Sequence, residues 1–425
     1  MRLLYDLFFL IFGLLYIPCL LMRGRLHRDF VQKFGFLPAD VTGLERPVWI
    51  HAVSVGEAAL AAKLSARIKG RFPDIPVVVS TTTQTGNDMI RKSGKGVIDG
   101  VFYYPLDMRA VVSRAVRLLK PRLYVMIETE LWPNLLEELC SKHIPVVLAN
   151  GRISDASFAK YKKIRFVTKR ILRGIDRFCM QSEKDAERIR QLGAAGGSIS
   201  ITGNIKFDEK TALAAPAGFD KEHLGFREGD EIIVAGSTHF PEEAALVDIY
   251  GELRKGQSNL KLVLAPRHVQ RTDAIKMYFE KAGLGYRCFS DVLKRDSADQ
   301  GRYDVLLVDT IGHLKDIYSV ATVIFIGGSL AAKGGQNPIE AARWGKAVVF
   351  GPHMFHFREV ADIFLESKAA VCVKDVPRLK NELRRFLEDP EARKQIAGNA
   401  RKVIEENSGA AGRTMEKIES ILSGK

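Results

Sequence analysis

The chain has 425 residues, too many for one ordinary domain, and its 46% hydrophobic and 27% charged composition is that of a globular protein. Five scattered cysteines (Cys19, Cys140, Cys179, Cys288, Cys372) form no CxxC pair, which argues against a disulfide framework or a zinc site and fits a reducing compartment. A net charge of +14 suits nucleic acid, an anionic membrane or an acidic substrate, and nucleic acid ranks last because no RNP-like aromatic motif or zinc finger is present.

The first element is apolar. Leu3 to Met22 reads LLYDLFFLIFGLLYIPCLLM, about the length of a bilayer core, with Asp6 and Pro18 as blemishes. Arg23, Arg25, His27, Arg28 and Lys33 follow, and no small-x-small cleavage site does. This pattern predicts an uncleaved membrane anchor over residues 1–24, with the remainder cytoplasmic. Whether the segment spans the bilayer or lies in its interface stays open.

A strand-then-helix grammar follows. Strands are predicted at Val48–Val55, Pro76–Thr82, Val101–Leu106, Leu123–Ile127, Pro145–Ala149, Phe178–Gln181 and Ser200–Thr202, with amphipathic stretches such as Ala58–Arg71 and Met108–Leu119 between them. After a break near Glu209–Gly229 the grammar restarts, with strands at Ile232–Ala235, Leu260–Ala265, Val305–Val308, Val323–Ile326, Ala347–Phe350 and Ala370–Val373. Helices are expected at Glu242–Arg254 and Thr272–Gly283, a polar surface loop at Ser290–Arg302, and charged helices from Val376 onward. The expected fold is α/β, two Rossmann-like doubly wound domains over 25–209 and 210–375, behind the anchor and ahead of C-terminal helices over 376–425. Two such domains facing each other offer a cleft for a small molecule. Architecture of this kind serves two-domain glycosyltransferases and other enzymes, so function must come from residues.

Those residues begin with HAVSVGEAAL, His51 to Leu60, which puts Glu57 directly after a strand at the mouth of a helix. Ligands of open α/β sheets bind beyond the carboxyl ends of strands, so Glu57 is placed to meet a substrate; the alternative is a solvated surface carboxylate. MIETELWPNLL puts Glu128 and Glu130 at the end of another strand. Residues two apart in an extended segment point the same way, so these carboxylates are expected to share an environment. Asn150 to Phe166 leads into a basic helix carrying Lys160, Lys162, Lys163, Arg165, Lys169 and Arg170, suited to lipid phosphates or simply solvated.

In the second half, Ala235 to Glu243 (AGSTHFPEE) places Ser237 in a turn that resembles a phosphate-facing one. Arg267 and His268 follow the strand of LVLAPRHVQR; arginine offers a planar fork of donors to phosphate, and the histidine either donates a hydrogen bond or caps the next helix. The strongest signal is IFIGGSLAAKGGQNPIEAARWGKAVVFGP. Its strand runs into Gly327, Gly328 and Ser329, then through a flexible stretch to Gly335. Asn337 is a good N-cap before Pro338, opening a helix expected to reach Trp344, and a helix N-terminus suits an anion. Glu340, one turn in, fits better as an acceptor for ribose hydroxyls. No Walker A sequence, GxGxxG fingerprint, DxD or HExxH is present, so no cofactor and no obligatory metal are expected.

With HAVSVGE, TTTQTG (Thr81–Gly86), YPLD (Tyr104–Asp107), ETELWPN (Glu128–Asn134), NGRIS (Asn150–Ser154), GNIKFD (Gly203–Asp208), APRH and GGSLAAKGGQNPIE in view, the chain resembles the Kdo transferases of lipopolysaccharide inner-core assembly over nearly its whole length. The resemblance implies an inverting glycosyltransferase of the GT-B type that moves Kdo from CMP-Kdo to a lipid A precursor at the cytoplasmic face of the inner membrane. It implies a general base at Glu57, a second important carboxylate at Glu128, and CMP contacts at Arg267, Gly328, Ser329, Asn337 and Glu340. It also implies anionic inner-membrane lipids as partners and no nucleic acid. How many Kdo residues are added is not legible. The competing readings are a UDP-sugar glycosyltransferase, a non-catalytic binder of anionic headgroups and a sugar-nucleotide epimerase.

Overall fold

The computed structural model describes residues 29–208, 218–294 and 303–424. The expected anchor over residues 1–24 and most of the loop expected over Ser290–Arg302 lie outside the described residues. Among the described residues no helix is long and apolar enough to cross a membrane.

The chain divides into two compact units. Residues up to Asp208 together with Asn407–Lys425 form unit 1, and Glu209–Glu406 form unit 2. The break falls one residue from the expected boundary at 209. The C-terminal helices, expected as one segment over 376–425, are instead shared between the units.

Unit 1 is built on a parallel sheet of β1 (Val48–Ala52), β2 (Val77–Thr81), β3 (Gly100–Tyr103), β4 (Leu123–Ile127), β5 (Val146–Gly151), β6 (Arg177–Met180) and β7 (Ile199–Ile201). Its order is β3-β2-β1-β4-β5-β6-β7. Strands β1, β2 and β4 are buried at every position. This is why they read as continuous apolar runs: helices cover both faces of such a sheet. One face packs Ile50, Val79 and Val125 against Ala58, Leu64 and Ile68 of the helix Val55–Arg71. The other packs Trp49, Tyr124 and Phe178 against Val112, Leu135 and Ile189.

The last helix, Ala410–Leu422, completes the first of these cores with Ala410, Ala411, Met415 and Ile418. Asp208 holds its start, accepting hydrogen bonds from the backbone N–H of Gly409 at 2.5 Å and of Ala411 at 2.6 Å. A carboxylate at a helix N-terminus satisfies donors the helix cannot pair itself. The basic helix after Ser154 is two helices, Asp155–Lys163 and Arg165–Leu172.

Unit 2 repeats the plan with β8 (Glu231–Thr238), β9 (Leu260–Pro266), β10 (Tyr286–Cys288), β11 (Val305–Leu307), β12 (Val323–Ile326), β13 (Ala347–Phe350) and β14 (Val371–Cys372), in the order β10-β11-β9-β8-β12-β13-β14. Strand β10 was not anticipated, and Phe289–Leu293 forms a short helix where the polar loop was expected to begin. The helix Val376–Glu388 buries Leu379, Leu383 and Phe386 in the unit 2 core.

Candidate functional site

In each sheet the strand order reverses once, leaving a crevice at the carboxyl ends where the two directions diverge. In unit 1 that point lies between β1 and β4; in unit 2 it lies between β8 and β12. Of the residues singled out in sequence, Glu57, Glu128 and Glu130 follow β1 and β4, Ser237 lies at the end of β8, Gly327–Ser329 follow β12, and Arg267 and His268 follow the neighbouring β9.

Glu57 follows β1 in the first turn of its helix and is 7% exposed. Ser54 is the N-cap, accepting from the Glu57 N–H at 3.3 Å, while the Glu57 carboxylate accepts from the Val53 N–H at 2.7 Å and the Ser54 hydroxyl at 2.8 Å. This is a capping box, which by itself accounts for a glutamate here. Burial adds something a cap does not require. It raises the Glu57 pKa, the two hydrogen bonds oppose the rise, and the charge of nearby Glu130 adds to it. A carboxylate with an elevated pKa holds a proton more readily than an ordinary one.

Glu130 is itself raised by burial and by the charge of Glu128. The two carboxylates interact, as their spacing suggested, but not through an extended segment. Glu128 has φ 58°, the left-handed region, and its carboxylate pairs with Lys206 Nζ at 3.0 Å. Lys206, in the GNIKFD stretch, was not foreseen as its partner. Nearby in the unit, the Tyr104 ring lies tilted against those of His51 and Trp132, with centroids 4.0 Å and 5.4 Å away. His51 is fully buried beside Ser80, and burial pushes its pKa down to about 3, so it stays neutral. Asp107 of YPLD accepts from the N–H groups of Asn134 and Leu135, capping the helix Pro133–Ser141. Those two motifs therefore hold each other in place.

In unit 2 the crevice is cationic. Arg267 and His268 lie exposed just past β9, and the Arg267 N–H donates to the Thr238 carbonyl at 2.9 Å. The His268 ring stands 5.4 Å from that of His239, and no side-chain cap bond is made by His268. Burial lowers the His239 pKa, and so do the charges of His268, Lys333, Arg267 and Arg271. These basic groups gather at the ends of β8 and β9. Ser237, at φ 55°, sits where the β8–β9 register shifts. His239 and Lys333 were missed, although both lie inside the stretches quoted from the sequence.

The glycine-rich loop after β12 is tied down from within. Its amides do not wait for an external anion: the buried Glu242 carboxylate accepts from the N–H groups of Gly328 (2.7 Å), Leu330 (2.9 Å), Ala331 (3.1 Å) and His239 (2.9 Å). The Ser329 hydroxyl is also engaged, donating to the Ile326 carbonyl and accepting from the Gly351 N–H, and the residue is fully buried. The Ser329 hydroxyl is thus committed to packing the loop. The stretch to Gly335 is a closed turn, with the Lys333 and Gly335 N–H groups both on the Gly328 carbonyl at 3.0 Å. Gly327 is demanded by close approach, since a Cβ there would lie 2.5 Å from Thr238 Cα.

Asn337 caps its helix as expected, accepting from the Ile339 N–H at 3.1 Å, and its amide reaches Glu340 at 3.2 Å. The helix ends at Ala342 rather than Trp344. Five residues carry little macrodipole. Among the described residues no group of three or more His, Cys, Asp or Glu is arranged to hold a metal ion.

Comparison with known proteins adds the following. A family model described as 3-deoxy-D-manno-octulosonic-acid transferase (kdotransferase) matches residues 28–209. A 3-deoxy-D-manno-octulosonic acid transferase of Bordetella pertussis is 32% identical over 392 residues, covering 89% of this chain and 88% of that protein. A bifunctional glycosyltransferase/methyltransferase of Fusobacterium nucleatum is 32% identical over 412 residues, 95% of this chain but 61% of that longer protein. A putative UDP-N-acetylglucosamine 2-epimerase from Listeria monocytogenes shares the fold at TM-score 0.53 and 12% identity, over 90% of this chain and 98% of that one.

Proposed function

This chain belongs to the 3-deoxy-D-manno-octulosonic acid (Kdo) transferase family and is a glycosyltransferase; from that premise we propose that it transfers Kdo from CMP-Kdo to a lipid A precursor with inversion, using Glu57 as general base. A hydroxyl of the acceptor is a weak nucleophile until its proton is taken. The Glu57 carboxylate accepts that proton while the hydroxyl oxygen bonds to the anomeric carbon of Kdo. The bond from that carbon to the phosphate oxygen breaks, and its electron pair leaves with CMP. Attack opposite a departing group follows the logic of inverting glycosidases.

The observation that carries the reading is the Glu57 carboxylate, buried at the end of β1 with its pKa raised. Glu128 is held by Lys206, so its role is to set the field around Glu130 and Glu57 rather than to take the proton. The phosphate of the donor lies against Arg267 and Lys333, with His268 as a hydrogen-bond donor, and these preorganised groups stabilise the charge that develops on it without an obligatory metal ion. Asn337 holds Glu340 for the ribose, and Gly328 allows the close approach of the loop.

The proposed site of action is the cytoplasmic face of the inner membrane. Supporting it, Ile164 and Phe166 are 53% and 82% exposed beside Lys160, Lys162, Lys163, Arg165, Lys169 and Arg170. Apolar side chains among basic ones suit an anionic lipid surface, where each cation contributes roughly 1 kcal/mol. The test is to incubate the purified protein with CMP-Kdo and a lipid A precursor and weigh the lipid product by mass spectrometry. One or more added Kdo masses with release of CMP are expected. An unmodified lipid, or transfer from a UDP-sugar instead, would overturn the assignment.

A further inference from the structure

A cavity of unit 2 lies away from the strand-end site. It has a volume of about 520 Å³ and sits against the starting ends of β8 and β13 and the residues leading into β12, lined among others by Glu231, Thr322 and Ala347. Strand β8 runs eight residues from here to Thr238, so the two sites stand roughly 20–25 Å apart. A volume of this size is that of a small-molecule pocket.

Its walls are cationic. Lys221, Lys346, Arg393, Lys394 and Arg401 line it, against Glu228, Asp230 and Glu231. Arg393, Ala397 and Arg401 are spaced four apart on the helix Pro390–Asn407 and so share one stripe, whose small central residue opens room between two guanidinium groups. The acids are partly spent: Asp230 accepts from the Arg227 N–H at 2.8 Å, and Glu231 lies 3.6 Å from Arg393. Lys221 is turned onto the carbonyls of Glu228 and Asp230. Lys346 and Arg401, by contrast, make no hydrogen bond or ion pair among the described residues. Burial lowers the Lys346 pKa, the charges of Lys221 and Arg393 lower it further, and Glu231 opposes them. Like charges are gathered around a half-buried ammonium with too few acids to balance them, which is the electrostatic shape of a receptor for an anion.

We propose that this pocket is a second, non-catalytic binding site of unit 2 for a small phosphate-bearing ligand, held by Lys346, Arg393 and Arg401. The apolar floor of Val320, Ala321 and Ala347 takes the non-phosphate part. The inference does not depend on the transferase reading, because it uses none of the strand-end residues.

The test is a calorimetric titration of pyrophosphate into the full-length chain carrying Arg267→Ala, which removes the main donor-site phosphate contact. Saturable binding is expected. Lys346→Gln should weaken it about tenfold or more, the worth of a hydrogen bond to a charged group. Glu231→Gln should strengthen it, because it removes the acid that faces Lys346. Opposite signs in the two variants separate a binding site from general damage to the fold. The same variants titrated with phosphatidylglycerol vesicles identify the source of the phosphate. Parallel effects mark a lipid headgroup, and effects on pyrophosphate alone mark a soluble ligand. Absent binding, or equal binding by parent, Lys346→Gln and Glu231→Gln, overturns the proposal.

Discussion

The two units build the same device with opposite charge. Each is a seven-stranded parallel sheet whose order reverses once, and each places its distinctive residues at that reversal. In unit 1 the crevice holds carboxylates: Glu57, Glu128 and Glu130, with Lys206 paired to Glu128. In unit 2 it holds Arg267, His268, Arg271 and Lys333 around His239, while the acid Glu242 turns inward to tie the loops together. The backbone plan is shared, and side-chain charge distinguishes the two crevices. On the proposed reading, the first removes a proton and the second holds a departing anion.

The comparison can be broken most severely at Glu57. Glu57→Gln keeps the shape of the capping box but removes the proton acceptor, and turnover should fall by about 10²–10⁴-fold. Steady-state rates measured with CMP-Kdo check this, and an unchanged rate would move the base elsewhere.

Next in size is Glu242→Ala, which takes the acceptor from four backbone N–H groups. Each one left dry costs about 1–3 kcal/mol, so unit 2 should lose several kcal/mol in chemical denaturation, with partial recovery in formate or acetate. Failure of either to change stability would mean that the loops hold themselves. Ser329→Ala should cost less, about 1–3 kcal/mol, with CMP affinity unchanged, because its hydroxyl serves Ile326 and Gly351. A selective loss of CMP binding would return Ser329 to the ligand contacts.

The finest effect is on pH. With Glu57 as the proposed general base, which works deprotonated, its raised pKa should place the acid limb of kcat/KM above that of an ordinary glutamate. Glu130→Gln removes a negative neighbour and eases ionisation of Glu57. The acid limb should therefore move to lower pH while the plateau persists. A limb moved to higher pH would contradict the coupling.

Much of this plan was visible in the sequence, for reasons that differ by element. Strands buried on both faces leave unbroken apolar runs, so β4, β12 and β13 were legible to the residue. Strand β10 was not, because three half-buried residues at a sheet edge carry no such run. The return of Ala410–Leu422 to unit 1 depends on Asp208, some two hundred residues away, and no local pattern encodes that. Glu57 was legible because strand, glycine and helix cap are all local. Glu128 and Glu130 do interact as expected, but Glu128 adopts φ 58°, so the extended geometry invoked for the pair does not hold. The fate of the GGSL amides was hidden for a similar reason: their acceptor, Glu242, is 86 residues from Gly328 in sequence.

The division of labour is tested most directly by titrating CMP calorimetrically into Glu57→Gln and Arg267→Ala side by side, with single-turnover rates measured on the same preparations. Glu57→Gln should bind CMP like the parent while losing the chemical step. Arg267→Ala should bind CMP about tenfold or more weakly. If Glu57→Gln lost CMP affinity as Arg267→Ala does, or kept its full chemical rate, the assignment of proton removal to one crevice and anion holding to the other would be wrong.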